Sequence, residues 1–223
     1  MSAPWRLIPW LDHQSSRSLA RRFRARRLAC LESVVPLAPG TRVLDVGGMP
    51  GSSLLARRTD LRVTYLNLYP GARIARSLRP EHAYLHADAR EIPLCDGAFD
   101  VVFSNSLLEH LEPDDQRAVA SEIRRVGRAH FVQVPYRYFP WEPHYNFPFV
   151  QFAPRPVRRF LWRRRWLSYG RRNHQPYEEI YLSTRAEIQS LFPTSSIVEE
   201  RAGPLVKALY AWASDTGRSR AAG

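Results

Sequence analysis

Short runs of β-branched and aliphatic residues alternate along the chain with stretches whose apolar residues recur at helical spacing. Because glycine, proline or polar residues bound each short run, these runs are predicted to form buried strands. The predicted strands cover residues 43–46, 61–68, 82–86, 99–105, 129–135, 196–200 and 205–212. Roughly seven strands in alternation with helices are typical of a single α/β domain.

Three of the predicted helices bear on function. The first covers residues 17–33, and the second covers residues 52–58, directly after a glycine-rich turn. The third covers residues 188–192 and follows a capping box, in which Thr184 and Glu187 satisfy each other's backbone N–H groups.

The glycine-rich turn follows the first strand and contains Gly47, Gly48 and Gly51, with Asp45 near the end of the strand. Glycine lets the backbone turn tightly and approach a ligand without an intervening Cβ. A strand, a glycine turn and a helix in this order present backbone N–H groups to a nucleotide-like ligand. The turn alone is weak support, because many α/β connections contain glycine.

More specific support comes from the long segment 85–111, which contains Asp88, an F-D-V-V-F-S-N strand and an L-E-H-L sequence. Together with the glycine turn, this segment resembles the motifs of the class I S-adenosylmethionine-dependent methyltransferases. The resemblance implies a mostly parallel seven-stranded sheet, with an antiparallel C-terminal strand and helices on both faces. It also implies S-adenosylmethionine as the cofactor, bound at the carboxyl ends of the first, second and fourth strands.

The resemblance implies ten cofactor-binding residues, all at or just after the carboxyl ends of predicted strands. They are Asp45, Gly47, Gly48, Gly51, Asn67, Leu68, Asp88, Ala89, Ser104 and Asn105. Two residues depart from the family pattern. Met49 stands where the family has its middle glycine, and Asn67 replaces the acid that holds the ribose hydroxyls. These departures keep open the alternative of a non-catalytic binding protein on the same fold.

A segment dense in proline and aromatic residues, 135–149, follows the fifth strand and is predicted to be a stiff, shaped loop. It resembles a segment from a branch of these methyltransferases associated with cell-surface glycans or small metabolites. Tyr136, Arg137 and Trp141 are candidate substrate contacts in this segment. Glu142 and His144 are the candidate catalytic residues, since either could take a proton from an acceptor hydroxyl. The alternative is that this pair locks the loop by hydrogen bonds.

His110, in the L-E-H-L sequence, is a further candidate substrate contact, whereas Glu109 is interpreted as a surface residue. No metal site is predicted. His82 and His86 lie on a predicted strand, where four residues span about 13 Å, too far for both to bind one ion.

Positive charge is concentrated in two places in this chain of net charge +12, residues 17–27 and residues 155–172. No acidic residue occurs between Glu142 and Glu178. Solvated helix faces, an anionic acceptor, an anionic membrane surface and nucleic acid remain open as explanations. The second cluster is predicted to form a helix with one apolar face that packs on the domain, made of Val157, Phe160, Leu161 and Leu167. Trp162 and Trp166 are then predicted to face a substrate, a partner or lipid; the alternative is that a long loop covers them.

The sequence therefore predicts a methyltransferase that transfers a methyl group directly to an O, N or C nucleophile of a small-molecule or glycan/lipid-linked acceptor. An RNA or protein methyltransferase is the alternative that the basic charge permits. Against it, the fourth strand ends in Ser104-Asn105-Ser106-Leu107 instead of the N-P-P-Y or D-P-P-Y typical of amino-group methylation.

Residues 1–40 are predicted to be a basic helical segment and a candidate lid, and residues 41–223 the methyltransferase domain, with an insertion at 135–175. The two cysteines are too few for a disulfide framework. No stretch approaches the roughly 20 apolar residues of a membrane span, and residues 5–11 are too short for a signal peptide. A cytoplasmic protein is expected, peripheral to the inner face of the membrane if the basic cluster 155–172 contacts anionic lipid.

Overall fold

The computed structural model describes residues 19–71, 74, 78–145, 147–163 and 177–214. By contact density these residues fall into two compact units. One contains residues 35–140 and 178 onward, and the other contains the first helix and residues 141–177. Each unit is described separately below.

A seven-stranded sheet forms the larger unit. Its strands in chain order are β1 (Arg42–Val46), β2 (Arg62–Asn67), β3 (His82–His86), β4 (Phe99–Asn105), β5 (Gly127–Pro135), β8 (Ser196–Ala202) and β9 (Leu205–Ala213). Their order across the sheet is β3-β2-β1-β4-β5-β9-β8. β1 to β5 pair in parallel, whereas β9 runs antiparallel to both β5 and β8. The predicted fold class is confirmed.

Two α-helices of this unit pack on one face of the sheet, α2 (Pro113–Val126) and α4 (Arg185–Leu191). Pro113 suits the first turn of α2, because a first-turn N–H has no partner within the helix. α4 begins with the predicted capping box, since Thr184 and Glu187 each accept a bond from the other's backbone N–H. A 3₁₀ turn at Leu108–His110 follows β4.

The buried core on this face combines strand and helix residues. Its fully buried members include Leu44, Val46, Val102, Leu108, Val119, Ile123, Val132, Ile188 and Leu209. This packing fixes the carboxyl ends of β1, β2 and β4 along one edge of the sheet, where open α/β folds bind their ligands.

The helix predicted at residues 52–58 does not form, and that prediction was wrong. The connection from β1 to β2 is instead a series of turns, in which the N–H groups of Ser52 and Ser53 both bond to the Met49 carbonyl. Ser53 Oγ donates to the Asp45 carboxylate and accepts from the Leu55 N–H. A serine that bonds its local backbone in this way competes with helix formation.

The smaller unit contains α1 (Leu19–Val34), the two-stranded pair β6 (Trp141–Glu142) and β7 (Phe147–Pro148), a 3₁₀ turn (Val150–Phe152) and α3 (Arg155–Trp162). α1 confirms the predicted first helix within the described residues.

The orientation predicted for α3 was wrong. Trp162 is 3% exposed and makes edge contacts with the rings of Tyr145 and Tyr177, whereas Val157 and Phe160 are 45% and 54% exposed. The edge contacts of Trp162 with two aromatic rings outweigh the apolar face that the helical spacing suggested. Trp166 lies outside the described residues. No helix in the described part of the chain is both long and apolar enough to cross a bilayer.

Candidate functional site

The turn after β1 depends on glycine at position 47. Gly47 has φ +79°, in the left-handed region that favours glycine, and a Cβ there would lie 2.9 Å from Leu107 Cδ1. Its N–H donates to the Leu66 carbonyl at 2.8 Å, which joins the turn to β2. Both the backbone conformation and the packing therefore exclude a side chain.

Gly48 lies against the carboxylate of Asp45. A Cβ on Gly48 would be 2.3 Å from Asp45 Cγ, well inside contact distance. Asp45 is buried, and Ser53 Oγ donates to it at 2.5 Å. Burial raises the pKa of Asp45 to about 7, although the Ser53 bond opposes the rise. Asp45 thus stabilises the glycine turn by accepting the Ser53 hydrogen bond and by packing against Gly48.

Asn67, at the end of β2, is bonded to the same turn. Its Nδ2 donates to the carbonyl oxygens of Gly47 at 3.1 Å and Gly48 at 3.4 Å, and its Oδ1 accepts from the Tyr69 N–H at 3.4 Å. A carboxylate has no proton to donate to a carbonyl, so the acid usual in the family could not make the first two bonds. The departure at position 67 therefore has a structural role that the sequence alone did not reveal.

Leu68 and Tyr69 follow β2 with most of their side-chain surface exposed. Their backbones are fixed from β3, since the Leu68 carbonyl lies 2.9 Å from His86 Nε2 and the Tyr69 carbonyl accepts from Tyr84 Oη at 2.8 Å. Beside the glycine turn, these two residues provide an apolar surface at the carboxyl end of β2.

Asp88 and Ala89 follow β3, and Asp88 is part of an ion-pair chain. Arg90 donates to Asp88 through Nη2 at 2.6 Å and to Asp115 through Nη1 at 3.2 Å. The side-chain hydrogen bonds that Asp88 accepts from Arg90, together with the one from the Arg90 backbone N–H, lower the pKa of Asp88. Sequence reasoning missed Arg90 and Asp115. The short Asp-x-Arg spacing was the available signal for the first of them.

The end of β4 is held by side chains of neighbouring strands. Ser104 is buried and its Oγ donates to the Val46 carbonyl at 3.2 Å, which ties β4 to β1. Ser106 has φ +56°, and its Oγ donates to Gln133 Oε1 at 2.8 Å. Asn105 lies between them at the carboxyl edge, half-buried.

His110, in the 3₁₀ turn after β4, lies beside the carboxylate of Glu178, with Nδ1 and Oε2 3.1 Å apart. The preceding Glu109 is 1% exposed, so its interpretation as a surface residue was wrong. The backbone explains its position, because the Glu109 carbonyl accepts from the Tyr181 N–H at 2.8 Å. The partner residue Glu178 is distant in sequence, and no motif signalled it.

Arg137, a predicted substrate contact, is bonded within the fold. Its Nε donates to the Leu182 carbonyl at 2.9 Å, and its Nη2 donates to Glu187 at 2.8 Å. Tyr136 packs on the core beside α4 and makes an edge contact with Tyr138 at 5.5 Å. Both residues fix the exit of the chain from β5.

In the smaller unit, Glu142 is buried and accepts two hydrogen bonds. One comes from His144 Nδ1 at 2.7 Å and the other from the Tyr145 N–H at 2.8 Å. The structure thus brings the two predicted catalytic residues together. When Nδ1 of a neutral imidazole donates, Nε2 carries the lone pair. Trp141 pairs with Pro148 in the adjoining strands and is partly exposed.

A family model described as a methyltransferase domain matches residues 44–130, from β1 through the start of β5. The chain carries a methyltransferase domain. The resemblance drawn from the glycine turn and the segment after β3 is thereby confirmed. The matched range contains every residue predicted to bind the cofactor.

Among curated proteins, a malonyl-[acyl-carrier protein] O-methyltransferase of Serratia marcescens is similar to the methyltransferase domain, with 37% identity over 92 residues. The match covers 40% of this chain and 35% of that protein. An uncharacterized methyltransferase of Mycobacterium tuberculosis is 37% identical over 102 residues, which cover 43% of this chain and 49% of that protein. The chain thus spans less than half the length of the curated relatives it matches.

Solved structures share the fold over nearly the whole chain. The geranyl diphosphate C-methyltransferase of Streptomyces coelicolor, solved with S-adenosylhomocysteine, aligns with a TM-score of 0.57 and 15% identity, over 93% of this chain and 89% of that one. At this level of identity the similarity establishes the fold.

Proposed function

We propose that the chain is an S-adenosylmethionine-dependent methyltransferase that acts on a hydroxyl of a small-molecule or glycan/lipid-linked acceptor. The observation that carries the proposal is the Glu142–His144 pair, because a buried carboxylate that orients an imidazole is suited to proton removal. Methyl transfer to a hydroxyl requires that a proton leave the oxygen.

The residues at the carboxyl edge fit the donor. No described atom lies within 4 Å of where a Cβ on Gly51 would be, so the turn leaves open space there. Gly47 and Gly51 would hold the amino-acid part of S-adenosylmethionine, Asn67 the ribose, and Leu68, Asp88 and Ala89 the adenine. Ser104 and Asn105 would line the same edge. The bound donor would supply an electrophilic methyl group.

The chain's own part in the reaction is alignment and proton transfer. We assign His144 as the base that accepts the acceptor's hydroxyl proton at Nε2. Glu142 would hold the ring in the required tautomer and stabilise the imidazolium that forms, as its short bond to Nδ1 supports. Alignment of the acceptor oxygen, with exclusion of water, would supply the rest of the rate enhancement.

His110 is a second candidate for the base. It pairs with Glu178 as His144 pairs with Glu142, and it follows β4, the strand that ends beside the glycine turn. Its partner is less buried than Glu142, so the ring is held less firmly. Variants of the two histidines would distinguish these assignments.

A labelling experiment tests the proposed function. Purified protein and methyl-labelled S-adenosylmethionine are incubated separately with a low-mass extract, a lipid and glycolipid extract, total RNA and total protein from a bacterial culture. Label in the low-mass or lipid extract that survives mild base, unlike a methyl ester, and is released as methyl iodide by hydriodic acid, as the methyl of an ether is, supports the proposal. Label in RNA or protein contradicts it. Calorimetric binding of the donor without labelled product in any pool also contradicts it and favours a binding protein.

A further inference from the structure

In α3, Val157 and Phe160 face solvent, whereas Trp162 faces inward. Val157 and Phe160, one turn apart on the same face, are 45% and 54% exposed. On the other side, Trp162 is buried against Tyr145 and Tyr177. A surface helix of a soluble protein ordinarily has the opposite arrangement, with its apolar stripe toward the core.

The 3₁₀ turn before α3 continues this exposed surface. Phe149 and Phe152 are 61% and 54% exposed, and the Phe152 N–H donates to the Phe149 carbonyl at 3.1 Å. Phe149 directly precedes the 3₁₀ turn and Phe152 is its last residue, so both rings belong to the short segment before α3. Four large apolar side chains within twelve residues are therefore exposed in one short stretch. Such exposure is typical of a binding surface.

Arginine residues are interspersed with these apolar residues along the sequence. Arg155, Arg159 and Arg163 are exposed on and beside α3, and the sequence has no acid between Glu142 and Glu178. Arg159 also lies over the Tyr177 ring, 5.2 Å from its centroid, which holds its cation close to the helix. We call Phe149, Phe152, Val157 and Phe160, with these three arginines, the Phe/Arg surface.

Charge decides between the candidate occupants of the Phe/Arg surface. In a two-fold dimer the same patch meets itself, so the arginines of one copy would face those of the other across a desolvated contact. An anionic bilayer satisfies both components of the surface. Its headgroups attract arginine, and its interfacial region takes up aromatic and aliphatic side chains.

We propose that the Phe/Arg surface binds the interface of an anionic lipid bilayer, with Phe149, Phe152, Val157 and Phe160 inserted and Arg155, Arg159 and Arg163 at the headgroups. The contact replaces the one predicted from the sequence, in which tryptophan was the inserted residue. It concerns a surface and does not depend on which acceptor is methylated.

Cosedimentation of the full chain with vesicles tests this inference. The probes are vesicles of phosphatidylcholine alone and vesicles in which about a third of the lipid is phosphatidylglycerol. Binding to the anionic vesicles alone is expected at 0.1 M salt. It should weaken as salt rises to 1 M, because the screening length falls from about 10 Å to about 3 Å.

Variants with matched controls distinguish the apolar contribution to lipid binding from the contribution of the arginine charges. Val157→Ser with Phe160→Ser should weaken binding by about tenfold or more, whereas Leu205→Ser, which changes a similarly exposed residue of the sheet unit, should not. Arg155→Gln with Arg163→Gln should reduce both the affinity and its salt dependence. Arg62→Gln with Arg128→Gln removes the same charge elsewhere and should have a smaller effect. Circular dichroism and donor titration verify that each variant is folded.

Three results would overturn the inference. The first is no binding to anionic vesicles by the folded wild-type chain, or equal binding to neutral vesicles. The second is RNA binding that Val157→Ser with Phe160→Ser leaves unchanged, together with an absence of lipid binding. The third is a concentration-dependent dimer, seen by analytical ultracentrifugation, that the same double substitution dissociates, because a second copy would then cover the surface.

Discussion

The carboxylate of Asp45 occupies the space that a side chain at Gly48 would need, with only 2.3 Å between Asp45 Cγ and a Cβ built on Gly48. Gly51, three residues later, has no described atom within 4 Å of such a Cβ. The two glycines of one turn therefore serve different purposes. Gly48 permits internal packing, and Gly51 leaves space beside the turn.

Alanine substitutions at these two positions should have different effects, one on stability and the other on donor affinity. Gly48→Ala forces Asp45 or the turn to move and should lower the free energy of unfolding by about 1–3 kcal/mol. Gly51→Ala should leave the unfolding free energy almost unchanged and weaken S-adenosylmethionine binding. Urea unfolding and calorimetric titration measure the two quantities. Equal donor affinity for wild type and Gly51→Ala would remove Gly51 from the proposed donor site.

Asp45 should make stability depend on pH between about 4 and 7. Burial raises the pKa of Asp45 to about 7 in the folded chain, so in this range the folded state holds a proton that the unfolded state has released. The free energy of unfolding should therefore fall as pH rises, by up to about 1.4 kcal/mol per pH unit from this group. Asp45→Asn should abolish this part of the slope. An unchanged slope in urea unfolding of the variant would contradict the assignment.

Placing the family's acid at position 67 should not raise the stability of the protein. Asn67→Asp loses the bonds to the Gly47 and Gly48 carbonyls and sets a carboxylate against two carbonyl oxygens, at an expected cost of about 1–3 kcal/mol. Asn67→Ala, which loses the bonds without adding charge, should cost less. Amide hydrogen exchange at the turn and the unfolding midpoint report both effects. A more stable Asn67→Asp variant would show that the bonds to the turn do not matter.

Once an acceptor is identified, His144→Gln should leave donor affinity near wild type and lower turnover by about 10²–10⁴. Glu142→Gln should reduce turnover as well, because an amide cannot stabilise an imidazolium as a carboxylate does. The matched control is His110→Gln, which alters the other histidine–carboxylate pair. A loss confined to His110→Gln would transfer the role of the base to that residue.

The strands and their order along the chain could be predicted because each is a short apolar run bounded by turn residues. The capping box of Thr184 and Glu187 could be predicted for a similar reason, since its two members are three residues apart. Such features form between residues that are close together in the sequence, so the spacing of residue types is enough to predict them. The helix expected at residues 52–58 failed because Ser53 bonds to Asp45, a tertiary contact that helical propensity does not include.

The partners of the site residues were less predictable. Nothing in the spacing shows that Asn67 donates to carbonyls twenty residues away, or that His110 meets Glu178. Trp162 was assigned to the wrong side of its helix because periodicity shows which residues share a face but not which face is covered. Tyr145 and Tyr177, the rings that cover Trp162, lie on either side of α3 in the sequence.

The chain leaves β5 and returns to the sheet unit at almost the same place. Tyr136 and Ser183 form a parallel bridge, and the Arg137 N–H donates to the Ser183 carbonyl at 3.0 Å. A segment whose two ends are fastened together can change in length or sequence without altering the spacing of the strands it joins. The segment between these ends can therefore vary while the carboxyl edge of the sheet keeps its geometry. For protein engineering, these two residues mark the junctions at which a segment from another methyltransferase could be grafted.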